Sequence, residues 1–255
     1  MLGASLARLR SVFAGLTAVP HERGCTYCYG EEDIALLRVP EVALPEDLLV
    51  QFFHEVPDHF DDHAAVLCRL LPQFAEFLVA GRFEGLGYGA NGLGRVGWPD
   101  WPPQQADAIR GFIDAWWAAF LADDASPYDI ADVFAVCADM GGTITPLLEC
   151  WARQPVGERA DRLLLRAADM WMQDLLGDVP GLTIPWWYWP DPDAPEFSFR
   201  PEPVAELQAW LAAHGPDRLR AVGADEGLCT RVRLLGLPYE ERWADPYWES
   251  PAATN

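Results

Sequence analysis

Apolar residues along this 255-residue chain recur at helical spacing in one segment after another, and no comparable series of alternating apolar and polar positions accompanies them. A period near 3.6 gathers side chains on one face of a helix, whereas a half-buried strand needs a period of two. Pro45-Glu46-Asp47 opens a stripe at Leu48, Leu49, Phe52 and Phe53; proline in a first turn with acids behind it is a helix start. Asp61-Asp62 leads into Val66, Leu67, Leu70, Leu71, Phe74, Phe77 and Leu78, with a kink expected at Pro72. Pro103 to Ala122 repeats the pattern through Ile109, Phe112, Ile113, Trp116, Trp117 and Phe120. Further helices are expected over 128–138 (stopping at Gly141-Gly142), 144–152, 159–176 and 204–213, the last closing at His214-Gly215. Near the N-terminus Arg8 and Arg10 precede an apolar run that superficially resembles a leader. Leu2, Leu6, Leu9, Phe13 and Leu16 at helical spacing make an amphipathic helix the better account.

The fold class is therefore all-α: an irregular multi-helix bundle or HEAT-like helical stack with Gly/Pro/Trp-rich loops. Residues 81–103 and 180–203 interrupt the helices. The second stretch suggests a main helical domain over 1–179, followed by a Pro/Trp-rich loop and a small helical C-terminal extension over 180–255 packed on it. From about Pro238 the chain reads as a docked or frayed tail. At most, a short hairpin within 180–200 fits the pattern.

Apolar residues make up 51% and charged residues 22%, the balance of a folded globule. No stretch approaches the roughly 20 apolar residues of a membrane span, and the expected compartment is the cytoplasm. With 39 acidic against 18 basic residues the net charge is −21, so phosphate backbones are repelled and direct nucleic-acid binding is disfavoured. A basic protein is the partner such a surface suits. All the basic residues are arginine. Without lysine there is no P-loop phosphate anchor, no Schiff base, no kinase-type lysine and no Ser-x-x-Lys pair.

Gly87-x-Gly89-x-x-Gly92 and Gly92-x-Gly94-x-x-Gly97 match the dinucleotide fingerprint, but they follow a helix and run into Trp98-Pro-Asp-Trp-Pro-Pro. That order is a connecting loop, because the fingerprint needs a strand before it and a helix after it. Cys25-Thr-Tyr-Cys28 is the sharpest local signal. Two thiolates at this spacing share a tetrahedral metal, form a redox disulfide, or simply pack as thiols. His59 and His63, one helical turn apart, are the candidates to complete a zinc site with Cys25 and Cys28. His59-x-x-Asp62-His63 also lies one methylene from the His-x-x-Glu-His metalloprotease signature; a helix N-terminus capped by Asp58 explains it better. Trp186-Trp187-Tyr188-Trp189, flanked by Asp191, Asp193 and Glu196, is a candidate aromatic platform for a small molecule or a partner, or packing beneath a Pro-rich loop.

Cys25-x-x-Cys28 followed by Glu31-Glu32-Asp33 is one part of a larger pattern. It continues in Leu70-Leu71-Pro72-Gln73-Phe74, Val96-Gly97-Trp98-x-x-Trp101, Phe112-Ile113-Asp114-Ala115-Trp116-Trp117 and Leu147-Leu148-Glu149-Cys150-Trp151. With these the chain resembles a widespread bacterial family of helical proteins, uncharacterised as to function, over more than half its length. The resemblance implies a helical fold and brings no catalytic residues.

The functional expectation is a non-enzymatic acidic helical interaction protein, in its most concrete form an immunity-type inhibitor or antitoxin that masks a basic partner. The alternatives are a zinc-binding or redox protein using Cys25, Cys28, His59 and His63, and small-molecule binding by Trp186, Trp187, Tyr188 and Trp189. No cofactor is expected unless zinc occupies Cys25, Cys28, His59 and His63.

Overall fold

The computed structural model of the chain describes residues 1–53, 59–84, 86, 91–94, 96–123, 126–178 and 201–250. Among these residues every regular element is helical, so the all-α expectation holds. The 180–200 hairpin, the Trp186-Trp187-Tyr188-Trp189 cluster and most of the first Gly-x-Gly pattern fall outside them. No helix among the described residues is long and apolar enough to cross a membrane.

The chain divides into two compact units: Met1–Tyr128 with Val136–Gly142, and Asp129–Ala135 with Thr143–Asn255. This division falls near residues 128 and 142, while the boundary expected at residue 180 lies outside the described residues. The C-terminal helices pack against the helices of residues 145–177.

The first unit holds α1 (Leu2–Val12), α2 (Glu31–Leu37), α3 (Glu46–Phe53), α4 (His63–Val79), the single turn α5 (Asn91–Gly94) and α6 (Pro103–Ala122). α1 packs on α4 and α6, and α2 packs on α4. Pro103 sits in the first turn of α6, where its missing N–H would have had no helical partner anyway. α4 carries Pro72 inside its span and still runs on to Val79. Phe53 stacks on Phe83 with centroids 4.4 Å apart, and Phe74 closes the cluster at 5.1 Å from Phe83. The buried Trp98 indole donates to Met140 O at 2.7 Å, which satisfies the only polar atom of that side chain.

In the second unit lie the start of α7 (Ile130–Gly141), then α8 (Thr145–Ala152), α9 (Arg159–Gly177), α10 (Pro201–Ala221), α11 (Glu226–Leu234) and α12 (Tyr239–Trp243). Phe134, Trp151 and Trp171 are fully buried together, Phe134 tilting against Trp171 at 5.1 Å. Arg218 from α10 reaches Asp161 and the carbonyls of Ala152 and Gln154. The helix expected to close at His214-Gly215 instead continues through Gly215 and Pro216 to Ala221. Close packing is the cause. A Cβ on Gly215 would lie 2.7 Å from Val232 Cγ1 of α11, so the glycine marks helix contact rather than a helix end. The segment expected to be a tail from Pro238 forms α12 and a 3-10 turn over Pro246–Glu249. Arg242 anchors it by donating to Leu237 O at 2.8 Å and pairing with Asp178 at 2.6 Å.

Candidate metal centre

The Cys-x-x-Cys segment forms a tight turn in the first unit. The amides of Cys28 and Tyr29 both donate to Cys25 O, at 3.1 and 2.9 Å. Gly24 enters the turn at φ +62°, a left-handed conformation that side-chain-bearing residues rarely adopt. A Cβ there would stand 2.5 Å from Ile34 Cδ1, so any other residue would also have to displace the end of the Ile34 side chain. The turn leaves through Gly30, whose amide donates to Asp33 Oδ2 at 3.0 Å and starts α2. Tyr29 is buried with its ring 4.9 Å from that of Phe60, while Tyr27 at the tip of the turn is 95% exposed. The Gln51 amide, on α3, donates to Cys28 O.

The second stretch precedes α4. Asp62 is the N-cap of that helix, its Oδ1 accepting the Ala65 amide at 2.9 Å. The cap expected at Asp58 lies outside the described residues. The helix therefore starts at the end of the His59-x-x-Asp62-His63 motif rather than at its beginning, and His59, ahead of the cap, does not share a helical face with His63.

Cys25, Cys28 and His59 come together, their ligand atoms all lying within 4.8 Å of one another, and each side chain is half-buried. Around a tetrahedral zinc, sulfur at about 2.3 Å and nitrogen at about 2.0–2.1 Å place neighbouring ligand atoms roughly 3.5–3.8 Å apart. From a separation of at most 4.8 Å, the set is no more than about 1 Å wider than these values. Two thiolates and an imidazole suit a borderline-soft d10 cation. His63, the fourth residue expected from the sequence, is not in this set. Its ring is buried, stacked on Phe52 at 5.3 Å and tilted against Phe60 at 5.8 Å.

Glu22 is the residue that sequence reasoning missed. Its side chain is fully buried, and Oε1 accepts the amides of Arg23, Gly24 and Asp61 at 3.0, 2.9 and 2.9 Å. Oε2 accepts the Asp62 amide at 2.8 Å. Burial alone would push its carboxyl up, but the four amides reverse this and hold it below the usual glutamate value. An isolated acid ahead of a Cys-x-x-Cys pattern carries no signal for this role. Cys68 is a different kind of thiol, pushed up to about 12 by burial and by the Asp62 charge.

No protein-family model, curated protein or solved structure matches this chain.

Proposed function

We propose that the chain binds a zinc-class ion through Cys25, Cys28 and His59. The observation that carries this reading is the approach of two sulfurs and one ring nitrogen to within 4.8 Å, from stretches of chain separated by α2 and α3. Bound there, the ion would cross-link the 25–28 turn to the start of α4 and act as a local positive charge in a strongly acidic protein. Thiolates must stay reduced to serve as ligands, which favours a reducing compartment such as the cytoplasm. Purified protein exchanged into zinc is expected to retain one equivalent. Cys25→Ser with Cys28→Ser is expected to abolish retention. Wild-type protein that retains no zinc, and instead carries a Cys25–Cys28 disulfide by mass, supports the redox alternative and removes this reading.

A second reading, an acidic interaction protein, is supported by where the charge goes. Arg10, Arg82, Arg166, Arg220 and Arg233 each pair with a carboxylate of the same chain at the surface, and with 39 acidic against 18 basic residues the carboxylates outnumber any pairing partners. Such a surface steers a basic protein toward it, as an immunity-type inhibitor or antitoxin requires. Affinity capture at low salt should recover a stoichiometric basic protein that dissociates as salt rises. Recovery of no such protein counts against this second reading and leaves the metal reading standing.

A further inference from the structure

The metal reading leaves open what brings the two ligand-bearing stretches together, and Glu22 meets both of them. On one side it takes the amides of Arg23 and Gly24, which lead directly into Cys25. On the other it takes those of Asp61 and Asp62, which follow His59 by two and three residues. A carboxylate is acceptor-only, with room for about four hydrogen bonds, and bonds to an ionised acceptor are roughly twice as strong as neutral ones. All four donors are backbone amides, so the carboxylate fixes main chain rather than one rotamer.

We infer that Glu22 is the positioning residue of the centre: by bridging the 23–25 and 59–62 stretches it holds Cys25, Cys28 and His59 together before any ion arrives. This rests on the metal-binding reading. The metal then enters a site whose loop-ordering cost has already been met by folding, in contrast to small zinc modules that fold only around their ion. Glutamine at position 22 puts an NH2 where one oxygen now accepts, so a donor would face a donor. Aspartate keeps the charge but falls one methylene short of spanning both stretches.

Co2+ is the probe, because thiolate-to-cobalt absorption reports sulfur ligation directly. Wild type, Glu22→Gln and Glu22→Asp are titrated with Co2+, with far-UV circular dichroism recorded on the metal-free proteins. The expected result is helical content preserved in all three, with Co2+ affinity lower by about 10–100-fold in Glu22→Gln and by less in Glu22→Asp. Equal affinity in wild type and Glu22→Gln overturns the role of Glu22 while the metal reading survives. No cobalt–thiolate band in wild type overturns both. Amide exchange on the metal-free wild type supplies a measurement independent of how the variants fold. The Gly24, Asp61 and Asp62 amides are expected to be protected without metal. Protection that appears only after Co2+ is added overturns the inference by itself.

Discussion

Arg218 Nη1 stands 2.7 Å from Asp161 Oδ1, with the two side chains 7% and 0% exposed. The pair is not isolated: Asp161 Oδ2 accepts the Gly157 amide, and Arg218 also donates to Ala152 O and Gln154 O. Removing one partner of such a pair strands a buried charge. Arg218→Met is therefore expected to lower unfolding free energy by about 3–5 kcal/mol. Adding Asp161→Leu to it should cost less than the two single changes summed, since neither charge then remains. Denaturant titrations of the three variants measure this.

Gly215 to alanine tests the claim that this glycine serves helix contact. Alanine is the better helix former by about 1 kcal/mol, so a free surface position would gain stability. At 2.7 Å from Val232 Cγ1 the added methyl overpacks instead, and a net loss of about 1–3 kcal/mol is expected. Val232→Ala in the same chain should recover part of it. A stabilised Gly215→Ala protein would show that α10 and α11 do not pack this closely.

His59 and His63 are expected to respond in opposite ways. His59→Ala should weaken Co2+ binding at least tenfold with little effect on the fold. His63→Ala should keep the metal and lose about 1–3 kcal/mol of stability, because it removes a ring seated between Phe52 and Phe60. Metal titration and thermal melting of the same two variants separate the roles.

The Cys68 thiol, raised to about 12, is almost wholly protonated at neutral pH. Against an unperturbed thiol its alkylation by iodoacetamide should be slower by about a thousandfold, because only the thiolate attacks. Peptide mapping after timed labelling gives the rate.

Asp132 titrates above the ordinary aspartate range, because burial opposes its charge and Asp129 adds repulsion. A folded value above the unfolded one means that its stabilising contribution is complete below the ordinary value of 3.8 and is lost as pH rises through the folded value. Asp132→Asn is therefore expected to raise the melting midpoint at neutral pH. That advantage should shrink as both proteins are acidified toward the ordinary aspartate value.

The helical layout was legible wherever apolar periodicity coincided with a boundary signal. Pro103–Ala122 appears as expected, and Arg159–Gly177 differs from its expected span by one residue. The reading failed where a glycine had two meanings. Gly141-Gly142 does end α7, with Gly142 at φ +65°, yet His214-Gly215 lies inside α10, and only the approach of Val232 tells the cases apart. α2 and α11 are short helices whose apolar stripes are too brief to stand out in sequence. At the candidate site, the Cys-x-x-Cys turn and His59 were legible because ligand chemistry restricts residue type. The choice between His59 and His63 was not, since helical spacing presents both equally, and packing against Phe52 and Phe60 decides it. Glu22 was invisible because its partners are backbone amides, which any sequence supplies.

The seat of Gly24 beside Ile34 and Phe60 sets the sulfur pair on a turn with one packed side. Tyr27, between the two cysteines in the chain, is 95% exposed. The turn that carries both sulfurs therefore meets the apolar interior at one residue and water at another.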